Sequence, residues 1–149
     1  MGFPILRDHT FESTLWIMTR GITLELEAEL AADVVLVDRP VPDALGYLVA
    51  ALRYRRETLS PQLQRYLDTL VMSHSNTYSR ILLTTIDPQI PIDTTKERDT
   101  DPEFRRMAAD GIAQVFQRLS LPFAPLPSQA REAVIDTIVA EITTARGRE

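Results

Sequence analysis

Apolar residues along the chain follow two rhythms. Phe11, Leu15, Met18, Ile22, Leu26 and Leu30 recur at spacings of three and four, which predicts an amphipathic helix over 10–31. Thr10 or Asp8 is placed to cap it, and Trp16 reads as a packing residue. The alternation in "ITLELEAEL" would suit a strand, but the stripe runs on through it and Leu, Glu and Ala are helix formers. Val34–Asp38 then breaks the rhythm. Four apolar residues stand in a row, three of them β-branched, as in a parallel strand covered on both faces.

Helix follows at 42–56, with Val41, Leu45, Leu48 and Leu52 inward. Another begins at Ser60-Pro61, a cap residue with proline in the first helical position, and ends near His74. "RILLTTI", 80–86, predicts a second strand, and the charged, aperiodic run 87–100 a surface loop. Asp101-Pro102 opens a helix whose inward face is Phe104, Ala108, Val115, Phe116 and Leu119. "LPFAPLP" predicts a third, proline-shortened strand. Ser128 is expected to cap a last helix, with Val134, Ile135, Ile138 and Ile142 inside. Short strands between helices define an α/β class with a parallel sheet, about three strands and five helices. No repeat or linker divides residues 1–149, so a single domain is expected.

Composition narrows the function classes. With 44% hydrophobic and 25% charged residues the chain has the balance of a soluble globular protein. A net charge of -5 argues against nucleic acid as a partner, which needs a positive field. Cysteine is absent, which excludes disulfides and thiolate chemistry and makes a cytoplasmic location the simpler expectation. No apolar run nears the ~18 residues that span a bilayer, so no membrane partner is expected, and "MGFPILRDHTFES" lacks the pattern of a signal peptide. His9 and His74 have no companions at metal-ligand spacing. "RYRR", Arg53–Arg56, suits the negative end of a helix dipole.

The chemistry-bearing pair is Asp38-Arg39, at the carboxyl end of the predicted strand, where ligands of parallel sheets bind. An acid there can hold Mg²⁺ or accept a hydroxyl proton, and an arginine can clamp phosphate oxygens. On spacing alone a plainer reading stands equally: Asp38 caps the next helix and Arg39 pairs with a surface carboxylate.

"VVLVDRPVPDALGYL" resembles the strand-Asp-Arg segment of P-loop small-molecule kinases. It is closest to the AAA-domain ATPase/kinase group similar to nicotinamide-riboside kinase, and more distantly to deoxynucleoside and thymidylate kinases. "RILLTTIDPQIPID", "RDTDPEFRRMAADGI" and "LPFAPLPSQAREAVIDTIVAEI" follow in that family's order of strand, lid, helix, last strand and helix. The resemblance implies a three-layer parallel sheet with flanking helices, ATP and Mg²⁺ as cofactors, and a small-molecule phosphate acceptor. It implies Asp38 as catalytic base or magnesium-linked acid and Arg39 as a contact to substrate or phosphate. Asp43 and Tyr47 would line the acceptor side. Arg98 would be the lid arginine and Arg105 a second phosphate-facing candidate, against the plainer reading of two solvated arginines beside Asp99, Asp101 and Glu103.

Two features depart from the family. Its lid arginine usually follows Asp-Gly, where this chain has Lys96-Glu97. The phosphate loop G-x-x-x-x-G-K-[ST] is not written in these residues: the glycines are 2, 21, 46, 111 and 147, and none precedes a lysine. The resemblance thus begins after the first βα unit and second strand, roughly 30 or more residues, and the fold is expected to be truncated at its N-terminus. A kinase-like protein inactive or weakly active alone is one expectation. A non-catalytic interaction or regulatory module on the same scaffold is the alternative, and a weak nucleotide binder a third. Without a central strand, Val34–Val37 and Ile81–Thr85 are expected to pair directly or to associate with a second copy through their exposed edges.

Overall fold

The computed structural model describes residues 2–84 and 101–146. Seven principal elements follow the chain: α1 (Phe11–Glu29), α2 (Val41–Arg55), α3 (Pro61–Ser75), β1 (Leu82–Thr84), α4 (Pro102–Arg118), β2 (Ala124–Leu126) and α5 (Arg131–Arg146). Single 3-10 turns stand at Leu6–Asp8 and Ser128–Ala130. The described residues divide into two compact units, residues 2–79 with 101–121, and residues 80–84 with 122–146.

The first unit is helical, and its helices start where local chemistry dictates. Thr10 caps α1 in a reciprocal box: its hydroxyl accepts from the Ser13 N–H, and the Ser13 hydroxyl accepts from the Thr10 N–H. Ser60 and Asp101 cap α3 and α4, each followed by proline. Helix α2 is central. Leu45, Leu48 and Ala51 are fully buried, and α4 lies along it, with Phe104 and Ala108 packing on Ala50 and Ala51. Two helices end in a left-handed residue that is not glycine. Arg56 (φ 59°) closes α2, with the Glu57 N–H reaching the Leu52 carbonyl. Ser120 (φ 51°) closes α4, with the Leu121 N–H reaching Phe116.

In the second unit, β1 and β2 pair in parallel with Leu82 opposite Ala124 and Thr84 opposite Leu126. The Ala124 N–H donates to the Ile81 carbonyl at 2.9 Å. Pro125 alternates with it, and its missing N–H falls on the edge away from β1. α5 follows, with Arg80 paired to its Glu141 at 2.7 Å.

The parallel mixed α/β architecture and the five helices agree with expectation; the three-strand sheet does not. Among the described residues the sheet has two strands. Val34–Val37 belongs to no ladder, and Val34 and Leu36 are 40% and 91% exposed, whereas Val35 and Val37 are half-buried. A strand covered on both faces needs hydrogen-bonded neighbours and two packing layers. Without them the run joins no ladder, and burial alternates along it. The inward face of α1 also differs from the predicted stripe. Leu26 and Leu30 are exposed, Trp16 is half-exposed against Phe3, and Glu25 is buried. On α5, Ile135 is exposed, and Ser128 lies in the preceding 3-10 turn.

Candidate functional site

The chain enters α2 through a bend at Asp38 and Arg39. Arg39 precedes Pro40, which disfavours the right-handed helical region, and Arg39 takes a left-handed conformation (φ 63°). For a residue with a Cβ this costs about 1–2 kcal/mol. The turn leaves the Arg39 guanidinium over the face of Tyr47, 5.7 Å from the ring centroid. Asp43 lies one helical turn before Tyr47, so the two share a face of α2.

Burial pushes the Asp43 carboxyl up to about 6; the Arg39 charge opposes this and the Asp38 charge adds to it. Asp38, Arg39, Asp43 and Tyr47, four residues marked in the sequence, therefore form one group. Arg105 stands half-buried on the first turn of α4 and is not among the charges acting on Asp43. Arg98 lies outside the described residues.

Behind Tyr47 the support is aromatic and closely bonded. Its ring meets His9 at 5.8 Å and Phe104 at 6.4 Å. His9 is buried and its Nδ1 lies 2.9 Å from the Leu6 carbonyl, which marks that nitrogen as the donor. Desolvation lowers its pKa; the Leu6 bond opposes this and the Arg55 charge adds to it, so the ring is neutral at pH 7. Arg55 fastens the segment by donating to the Arg7 carbonyl, to the His9 carbonyl at 2.8 Å and to Glu57 at 3.0 Å.

A second polar cluster adjoins α2 and was not legible in the sequence. Glu25, inward on α1, lies 2.7 Å from His74 Nε2 at the end of α3. It also accepts the Tyr78 hydroxyl at 3.2 Å. Burial and the Glu25 carboxylate, by its charge and its hydrogen bond, drive the phenol pKa well upward; only the Val41 backbone works against this. Tyr78 is therefore a neutral phenol that donates to Glu25. The one available signal was that Glu25 sits seven residues after buried Met18, on the same helical face.

The start of α2 does not form a phosphate cradle. Pro42 has no N–H, the Asp43 N–H lies 2.9 Å from the Pro40 carbonyl, and a carboxyl occupies the first turn. Nor, among the described residues, do three His, Asp or Glu side chains converge to hold a metal ion. Asp38 is thus not part of a metal-binding cluster there. What this turn offers is a carboxyl raised to about 6 beside a guanidinium seated on an aromatic ring.

A mixed α/β chain with five helices and a short two-stranded parallel sheet is consistent with a P-loop-like fold. The family described as AAA domain matches residues 7–133, most of the chain, and the chain belongs to that family. P-loop proteins of this kind generally use ATP and Mg²⁺. No curated protein and no solved structure matches the chain significantly. Among the described residues no helix is long and apolar enough to cross a membrane.

Proposed function

We propose that this domain is a kinase-like phosphotransferase scaffold whose described residues supply the acceptor side of the reaction. The observation that carries this reading is the Arg39–Asp43–Tyr47 group. One carboxyl, pushed to about 6, titrates close enough to neutrality to take a hydroxyl proton, beside a guanidinium held in place by an aromatic ring. In this reading Asp43 Oδ receives the acceptor's proton and the exposed Asp38 carboxylate hydrogen-bonds the acceptor. Arg39 meets the oxygens that gain charge, and Tyr47 fixes its plane. ATP, with Mg²⁺, supplies the transferred phosphoryl group in the family at large. These 149 residues contain no G-x-x-x-x-G-K-[ST], so we expect them to bind ATP-Mg²⁺ no tighter than about 0.1 mM, roughly −5.5 kcal/mol. The test is a phosphotransfer assay over a panel of hydroxyl compounds, with calorimetry of ATP-Mg²⁺. Asp43→Asn and Asp38→Asn should each abolish any transfer found. Turnover unchanged in both variants would refute the assignment.

A second reading is favoured by the exposure of Leu30 and Leu36, 90% and 91%. In it the scaffold is a non-catalytic module that self-associates through the unpaired backbone of Val34–Val37. Light scattering should then find a dimer that Leu36→Glu dissociates, and a monomer at high micromolar concentration would remove this reading.

A further inference from the structure

The Tyr47 ring touches both a guanidinium and an imidazole. Arg39 Cζ lies 5.7 Å from its centroid, and the His9 ring stands 5.8 Å away, tilted by 30°. These two neighbours differ in freedom. His9 is 5% exposed; its Nδ1 lies 2.9 Å from the Leu6 carbonyl, and its own carbonyl accepts from Arg55 at 2.8 Å. Arg39 is exposed, on a left-handed turn, so its side chain can swing into water. They differ in charge as well. Arg39 is always a cation. His9 donates through Nδ1, so a proton taken from solvent at lower pH goes to Nε2 and makes the ring an imidazolium. Two cations then compete for one π-system and repel each other. Because His9 is fixed and Arg39 is not, Arg39 is the one that yields.

We propose that His9 is a pH-sensitive positioning residue for Arg39, acting through Tyr47: the neutral imidazole lets the guanidinium rest on the phenol ring, and the imidazolium releases it to solvent. Burial lowers the His9 pKa from its ordinary 6.5, the Leu6 bond opposes this and the Arg55 charge adds to it. Arg39 is therefore seated at pH 7 and released as pH falls below 6.5. The other charged groups of these elements are Arg7, Asp8 and Glu12 beside His9 in the chain, Glu57 paired with Arg55, and Asp101 at the start of α4, 4.0 Å from Arg7. Around Arg39 itself stand Asp38 and Asp43. The functional meaning of the device rests on the phosphotransfer reading given above, in which an acidified site loses the group that meets the charged oxygens. Its geometry stands without that reading.

The test follows the ring-current shift of the Arg39 side-chain protons by NMR of the whole chain, without nucleotide or acceptor. Asp43 titrates at about 6 and would itself loosen Arg39 on protonation, so the measurement is made in Asp43→Asn. There the Arg39 shift should move toward its free value in one step, with the same midpoint as the His9 imidazole. The seated-to-free ratio should fall about two- to fivefold, the worth of one exposed cation–π contact. A flat Arg39 shift, or a step at a different midpoint, would overturn the inference. Arg55→Gln in that background is expected to raise the His9 midpoint, and the Arg39 step must keep to it; midpoints that part would overturn it too. His9→Phe keeps a ring against Tyr47 that cannot take a proton, and the Arg39 step should vanish; a step that persists there counts against His9. If His9→Phe fails to fold, the two midpoint comparisons decide. If transfer activity is found, the acid limb of its pH profile in Asp43-intact Arg55→Gln should move with the His9 midpoint. A coupled step in a chain without activity would sustain the positioning role while sinking the catalytic reading.

Discussion

Gly46 on α2 and Gly111 on α4 meet backbone to backbone, so that a Cβ on Gly111 would run into the Gly46 carbonyl oxygen. A Cβ on Gly46 would in turn lie 2.7 Å from the Ile112 Cα and 2.8 Å from its nitrogen. Neither neighbour is a side-chain end that can swing aside. Gly111→Ala and Gly46→Ala should therefore each lose about 1–3 kcal/mol in urea unfolding, despite alanine's better helix propensity. Gly21 is the contrast. Its nearest atom is the Glu25 Oε1 at 3.9 Å, so Gly21→Ala should gain up to about 1 kcal/mol. The same substitution with opposite signs in different helices separates close packing from propensity.

Asp43 makes stability depend on pH. Its carboxyl titrates near 3.8 in the unfolded chain and at about 6 in the folded one, so folding favours the protonated form. The stabilising contribution is complete below about 3.8 and is lost as pH rises through about 6. Its size is of the order of 3 kcal/mol. Asp43→Asn should remove this slope and be the more stable chain at pH 7. Urea midpoints measured between pH 4 and 7 for both chains would decide, and parallel curves would count against a buried Asp43.

Sequence legibility tracked the range of the interactions. Thr10, Ser60-Pro61 and Asp101-Pro102 announced three helix starts because a cap is made by neighbours three residues apart. That the sheet is parallel was legible from strands set among helices; which strands pair was not, since Val34–Val37 was the expected neighbour of Ile81–Thr85. Val34–Val37 misled because an apolar run reports what a segment could bury, not whether partner strands and covering layers are present. Asp38 and Arg39 were marked by their types at the end of an apolar run, Asp43 and Tyr47 only through the family resemblance, and the structure brings the four together. Glu25 was hidden among helix formers, since its partners lie 49 and 53 residues away. A buried acid can be told from a solvated one only through such long-range donors.

The left-handed residues Arg56 and Ser120 offer stability at no cost to the site. Each closes a helix at a position that favours glycine, and Arg56→Gly or Ser120→Gly should gain about 1 kcal/mol in thermal or urea unfolding. Arg39→Gly relieves the same kind of strain at φ 63° but removes the guanidinium from Tyr47 and Asp43. Asp43 should then titrate higher, because a positive charge that stabilised its ionised form is gone. A lower midpoint in Arg39→Gly would show that Arg39 does not act on Asp43.

Arg55 ties the approach to α1 onto the end of α2, and His9 records its charge. The guanidinium reaches the Arg7 and His9 carbonyls from one side chain, 48 and 46 residues away in sequence. A lysine cannot reproduce the planar fork. Arg55→Lys should cost about 1–3 kcal/mol, most of it from carbonyls left with poorer donors. The electrostatic part is read separately at His9, whose pKa is lowered chiefly by burial, against the Leu6 bond and with help from Arg55. A group depressed on folding contributes stability above its unfolded value of about 6.5 that is lost as pH falls through the folded one. Arg55→Gln removes the charge, so the His9 midpoint should rise in imidazole NMR and the acid loss of stability from this residue should become shallower. Arg55→Lys keeps the charge and should leave the His9 midpoint nearer the wild-type position than Arg55→Gln does. Equal midpoints in the two variants would assign the depression to burial alone.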